Sequence, residues 1–271
     1  MPQPDQTAPT AEPADNIREA DRNQLVASYL AVRRAVGLLG FALPAMLLAF
    51  AATGPVAFMP SISEFYYTPV REALVATIGA IAVFLFSYKG YRPEAARIQR
   101  HPREARLTDR RLSFAAAAGA LGVAVFPTRS EIALAPEPLM LDWLGAGLSA
   151  SLHNLSALLF FLALTVFCLD NFQRTRLTGT IAARRVAENR IYRTCGLVLA
   201  ASTAALVAIA AVHTFGPDGL SAALTRARAV FWAETVGLLA FSISWLVKGK
   251  ALAGMVEGVR RVTGATDRAA E

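Results

Sequence analysis

Charge is scarce in this chain. Asp, Glu, Lys and Arg make up 17% of its 271 residues while 55% are hydrophobic, and the mean hydropathy is +0.42. So small a polar fraction excludes an ordinary soluble domain and points to an integral membrane protein. Cysteine is nearly absent, with Cys168 and Cys195 alone; a disulfide scaffold is excluded, and both are read as small apolar residues at the inner membrane face. Histidine is nearly as rare. His101, His153 and His213 are a poor basis for zinc, which normally draws three or four ligands from His, Cys and carboxylates, so no metal and no other cofactor is expected. G-x-S-x-G, P-loop, H-E-x-x-H and dinucleotide fingerprints are all missing, which removes the common signatures of soluble enzymes. The N-terminus, "MPQPDQTAPTAEPADNIREADRNQ", lacks a basic start followed by an apolar core and is not expected to be a secretory signal.

What is abundant is long apolar sequence. A membrane helix needs roughly 20 mostly apolar residues to cross a core of about 30 Å, and six windows qualify: 35–53, 72–88, 112–126, 143–169, 195–212 and 230–247. The third is the shortest, bounded by Arg110, Arg111 and Pro127, and is accommodated by local thinning or snorkelling. None alternates as an outer-membrane strand would. The expected fold is all-α: a polytopic bundle of six transmembrane helices, each satisfying its own backbone in lipid. Residues 1–24 are expected to form a disordered cytoplasmic tail, 25–250 the transmembrane domain and 251–271 a cytoplasmic C-terminal tail.

The basic residues orient the bundle, because Lys and Arg are retained on the cytoplasmic side. With both termini inside, Arg71, Arg129, Arg226 and Arg228 alone of the 27 Lys and Arg residues fall in outer segments. The orientation expected is N-in and C-in, with both tails on the cytoplasmic side of the membrane. The net charge of +7 then reflects inner loops facing anionic lipid headgroups and calls for no nucleic acid partner. The basic loop "RPEAARIQRHPREARLTDRR" also offers no aromatic residue between Tyr91 and Phe114 on which a base would stack.

Small residues mark where helices approach closely. In the third window Ala115 and Gly119, then Ala118 and Gly122, recur at four-residue spacing, placing that helix centrally. In the fifth, Ala200, Ala204, Ala208 and Ala211 form a comparable face, and Pro44 is expected to kink the first. The two halves show no repeat of the kind that marks inverted-repeat transporters.

Polar residues within apolar windows are the functional candidates, since ionisable groups at depth face protein or a cavity. Ser149, His153 and Ser156, at i, i+4 and i+7, share one face of the fourth helix, with Asn154 beside them. Counted from Trp143, His153 lies roughly 15 Å deep, and its face is expected to meet the sixth helix. Glu234, Leu238, Ser242 and Trp245 line one side of that helix. Before the second span, "SISEFYYTPVRE" brings Ser63 and Glu64 to the outer interface, with Tyr66 and Tyr67 suited to an aromatic belt. His213 ends the fifth helix on the same side, and Asp170 ends the fourth at the opposite one as a solvated residue.

The stretches "SISEFYYTPVREALVATIGAIAVFLFSYKGY", "SASLHNLSALLFF", "RIYRTCG" and "FWAETVGLLAFSISWLVKG" resemble segments of uncharacterised bacterial six-span membrane proteins, from Ser61 onward, a group that implies no activity. Ser149 and His153 also resemble, in spacing, the Ser-x-x-x-His element of the CREST superfamily of alkaline ceramidases and adiponectin-type receptors. That likeness implies a zinc-dependent lipid amide or ester hydrolase. Where those proteins carry His-x-x-x-His on the last helix, this chain has Glu234 and no histidine. The reading the residues favour is non-catalytic: a polar, outward-facing cavity between helices 2, 4 and 6, lined by Ser63, Glu64, Ser149, His153, Asn154 and Glu234, that holds a membrane lipid or small amphiphile. A scaffold or a transporter are the other readings.

Overall fold

The computed structural model describes residues 13–54, 57–90, 98–99, 101–132, 138–174 and 182–250. Among these the chain is helical with no strand: α1 (Pro13–Thr53), α2 (Arg71–Ser87), α3 (Arg103–Arg106), α4 (Asp109–Val125), α5 (Leu139–Leu169), α6 (Ala182–Phe215), α7 (Asp218–Arg226) and α8 (Ala229–Lys248). Short 3-10 turns at Ser63–Tyr67 and Asn171–Gln173 join them. Each of the six apolar windows lies within a helix to within a residue. Four segments are long and apolar enough to cross a membrane: Val26–Thr53, Leu139–Gln173, Val186–Phe215 and Ala229–Lys248. The helices α2 and α4 have 17 residues each, about 25 Å at the helical rise. Both are shorter than any of those four segments.

The stretch read as a disordered tail is corrected in part, because α1 starts at Pro13. Proline suits the first helical position, and no glycine or proline follows until Gly37. Residues 1–12 and 251–271 lie outside the described residues.

The long helices form a closed ring. In the order α1, α2, α4, α5, α6, α8 each packs on the next, and α8 returns to α1, while α5 and α8 touch only slightly across the interior. One end of the ring is sealed by aromatic side chains. Trp245 of α8, Phe167 of α5, Tyr88 at the end of α2 and Phe172 are all buried. Their rings meet Trp245 edge-on at centroid distances of 5.0 Å (Tyr88), 5.7 Å (Phe167) and 5.5 Å (Phe172). Each such pair adds about 0.5–1.5 kcal/mol beyond burial. At the same end the last carbonyls of α8, which have no helical partner, accept from α1: Arg34 Nε donates to Gly249 O at 2.9 Å and Arg33 Nη1 to Lys248 O at 3.4 Å. Arg33 also donates to Tyr88 Oη at 3.1 Å and lies over the Tyr29 ring. The first and last spans are thus stapled together by cations at a helix C-terminus, where the helix dipole favours them.

The neighbouring contacts revise three expectations. The helix α4 does have close neighbours on two sides, α2 and α5, yet it occupies one place in the ring rather than its centre. Gly119 and Gly122 make the close approach: a Cβ on Gly119 would lie 2.7 Å from Phe160 N and Ser156 O, and one on Gly122 2.1 Å from Ser156 Oγ. Ala118 is exposed. In α6 the alanine face also fails to pack, since Ala204, Ala208 and Ala211 are exposed, and the helix is held instead through Tyr192, Cys195, Leu199, Ser202 and Thr203. Alanine is small enough to permit close packing and apolar enough to face lipid, so its spacing does not choose between them. Finally, α5 breaks at Gly145, which adopts φ 74° and ψ 157°, a region open essentially to glycine; Pro44 lies inside α1 without ending it. The straight part of α5 therefore starts at Ala146, and His153 lies about 10 Å along it.

The α4–α5 contact is rigid backbone on backbone, so Gly119→Ala is expected to lower stability by about 1–3 kcal/mol. Gly79→Ala in α2, where an added Cβ meets nothing within 4 Å, is expected to be neutral or to gain about 0.5–1 kcal/mol. Thermal unfolding of both variants in detergent checks the pair.

Candidate functional site

The end of the ring opposite the aromatic seal is organised by how α4 stops. Phe126 ends α4 and Pro127 cannot continue it, so the terminal carbonyls lack helical partners. The helix α5 supplies them. Ser149 Oγ donates to Pro127 O at 2.8 Å, and His153 Nδ1 lies 2.7 Å from Phe126 O. A carbonyl only accepts, so Nδ1 carries the proton, and in the neutral ring Nε2 is left as an acceptor. Ser156, one turn further, rests on Gly122. The Ser149, His153, Ser156 face is therefore turned to α4 rather than to α8, a correction whose cause is the demand of unpaired backbone groups.

The remaining nitrogen of His153 reaches Ser63. The segment after α1 folds back toward the interior, burying Met59, Ile62 and Phe65. It is fastened on both sides. On the α8 side, Phe231 N donates to Pro60 O at 3.0 Å and Arg228 Nε to Phe58 O at 3.0 Å, while on the α4 side Tyr67 Oη donates to Thr128 O at 2.5 Å. Arg228 holds the left-handed conformation, φ 52°. So anchored, Ser63 Oγ lies 2.8 Å from His153 Nε2 and 3.4 Å from Glu234 Oε1, and Ile62 N donates to Glu234 Oε2 at 2.7 Å. His153 and Glu234 thus meet through Ser63, carried on a segment remote from both in sequence. The stripe expected along α8 reduces to Glu234, because Ser242 Oγ donates to its own backbone at Leu238 O.

Glu64 stands beside this group without joining it. Its N–H donates to Ser61 Oγ at 3.0 Å, and that hydroxyl donates weakly to Glu64 Oε1 at 3.4 Å. Partial burial pushes its carboxyl above the ordinary carboxylate value, and the Ser61 hydroxyl pulls the other way without offsetting it. Asn154 is exposed. His213 Nδ1 lies 2.7 Å from Ser221 Oγ of α7. Asp170, at the sealed end, pairs with Arg174 one turn on.

A chamber of about 830 Å³ opens from this cluster. Ser63, Glu64, His153, Asn154 and Glu234 form one part of its lining, and Leu158, Phe161, Leu206 and Val230 another. It is walled by α5, α6 and α8, with residues from the 60–64 segment, 128–131 and α7 completing the lining, and not by α2, α5 and α8. On the α2 side the same histidine borders only a crevice of about 10 Å³, room for one water at most, because α2 packs against α4 and the Ser63–Tyr67 turn fills the gap. Ser149 does not line the chamber's described wall. Leu155 and Val207, on facing helices α5 and α6, line it and are 64% and 53% exposed. Among the described residues no three His, Cys, Asp or Glu side chains come together as a metal site. Family models, curated proteins and solved structures offer no match to this chain.

The decisive partners were not visible as sequence signals. Phe126 O and Pro127 O are backbone atoms, and Ser63 was one of several serines near an interface. A proline directly after an apolar window, with His and Ser four apart on a neighbour, was the available clue.

The raised carboxyl of Glu64 has a definite sign. A group whose folded-state value lies above its unfolded value contributes stability that is full below the unfolded value and is lost as pH rises through the folded one. Glu64→Gln is therefore expected to match the wild type near about pH 4 and to unfold at a higher temperature than it near about pH 8. Thermal unfolding of the two proteins across that range reads the effect.

Proposed function

We propose that this chain is a six-span protein of a bacterial inner membrane with both termini cytoplasmic, and that its chamber holds a lipid or small amphiphile by the polar end. The amphipathic lining of the chamber carries the reading. Polar groups from the 57–70 segment, α5 and α8 line the space together with apolar Leu158, Phe161, Leu206 and Val230, with Arg129, Glu131 and His213 also in the lining, and 830 Å³ falls within the range of about 300–1,000 Å³ usual for small-molecule sites. Leu155 and Val207, on two helices that wall the chamber, are exposed as well as lining it, an apolar surface suited to an acyl chain arriving from the bilayer. The basic residues at the sealed end support the orientation. Their loops would face anionic headgroups, each contributing about 1 kcal/mol of attraction. In this reading α2 and α4 cross the membrane as short spans, with thinning or snorkelling at their ends.

Two measurements test it. Leu206→Trp fills the chamber and is expected to reduce retained lipid, seen by native mass spectrometry, by about tenfold or more, equivalent to roughly 1.4 kcal/mol; Leu121→Trp, on an exposed face of α4, should leave retention unchanged. A wild-type protein that carries and binds no amphiphile overturns the reading. For the threading, reporters fused after Arg106 or Gln173 should report the cytoplasm and those after Thr128 or Gly216 the opposite side. Any reversal of that pattern removes the six-span assignment.

A further inference from the structure

The polar end of the chamber is built more tightly than retention of a headgroup requires. We propose that Ser63 and His153 are a nucleophile and general base that cleave an acyl ester or amide bond of the amphiphile in the chamber, through an acyl group carried on Ser63. This rests on the amphiphile reading given above for its substrate, though not for its chemistry.

The case begins with the tautomer. Phe126 O fixes the proton on Nδ1 of His153 at 2.7 Å, so the lone pair of Nε2 points at Ser63 Oγ, 2.8 Å away. That is the separation at which an imidazole takes a proton from an attacking hydroxyl. The orienting role that a carboxylate plays in a triad falls to a backbone carbonyl. Ser63 has one proton and two possible acceptors, His153 Nε2 at 2.8 Å and Glu234 Oε1 at 3.4 Å, and the shorter contact takes it. Glu234 instead grips the segment, accepting from Ile62 N at 2.7 Å, and faces the imidazolium across Ser63 when that charge forms. It is a positioning residue. Both reacting groups are reachable, since Ser63 and His153 line the chamber. Ser149, by contrast, is 0% exposed and committed to Pro127 O, so the serine that spacing would nominate is not the nucleophile.

The proposed cycle is balanced without any group beyond substrate and water. Ser63 Oγ attacks the acyl carbonyl carbon as its proton passes to His153 Nε2. The C–O or C–N bond to the leaving group breaks, and that group departs with the proton from Nε2. Water then enters, gives a proton to Nε2 and its hydroxyl to the acyl carbon, and the Ser63 ester breaks as Oγ regains a proton. The freed acid leaves along the apolar wall. Asn154, next to His153 in the lining, is the side-chain amide available to the carbonyl oxygen.

The test uses the full chain in detergent with a short alkyl fluorophosphonate, followed by intact and peptide mass spectrometry. Attack by Ser63 forms an O–P bond and expels fluoride as His153 takes the proton. One adduct, on Ser63 and not on Ser149, is expected; His153→Gln should slow labelling about 100-fold or more, and Ser151→Ala, an exposed serine bonded to its own helix at Gly147 O, should leave its rate unchanged. No adduct, an adduct elsewhere, or equal rates in wild type and His153→Gln overturns the proposal. Where His153→Gln does not fold, Ser63→Ala replaces it, since Pro60, Ile62 and Tyr67 hold the segment without that hydroxyl; an adduct that persists there is equally fatal. The small probe needs no lipid. Lipid retention without labelling overturns the Ser63–His153 assignment and leaves the amphiphile reading standing, whereas labelling without retention overturns the amphiphile reading and the substrate assigned from it.

Discussion

A helix that stops within an apolar surround leaves carbonyl oxygens that water does not reach, and each must find a donor or cost about 1–3 kcal/mol. The end of α4 poses that problem at Phe126 and Pro127, and α5 answers it with two side chains one turn apart, His153 and Ser149. Much else follows. The pairing sets the rotation of α5 against α4, with Gly119 and Gly122 admitting its backbone. It also fixes the histidine tautomer and so presents a basic nitrogen to whatever occupies the other side. In this chain that place is taken by Ser63.

The two ends of the ring are built on opposite principles. At the basic end, aromatic edges close on Trp245 and the guanidinium groups of Arg33 and Arg34 cap α8 from α1, so the first and last spans cannot separate without exposing carbonyls. At the other end the helices leave space. Gly237 packs directly against Phe161 and Ser202, and beyond that contact the polar group and the chamber occupy the interior. A rigid seal at one end lets the other hold a cavity without the bundle collapsing into it.

How far this was legible depended on which atoms carry the information. His153, Glu234 and Ser63 stood out because polar side chains in or beside apolar windows are conspicuous. Their partners did not, because a backbone carbonyl has no letter of its own. The alanine row of α6 misled for a related reason: small residues allow contact without requiring it. The break at Gly145 has no sequence signal of its own, since glycine is common in apolar helices. The cavity was expected between α2, α5 and α8 and is walled instead by α5, α6 and α8, because the filling of the α2 side by the Ser63–Tyr67 turn is a matter of packing alone.

The sequence by itself determined that the protein is helical and of membrane type, where its apolar helices lie, and which side chains are too polar for their surroundings, since these follow from local hydropathy and length. Only the tertiary structure decided that Ser63 stands between His153 and Glu234. That arrangement depends on a chain segment folding back between helices that are 90 and 171 residues away from it, and on backbone acceptors whose need for donors arises when α4 ends beside α5.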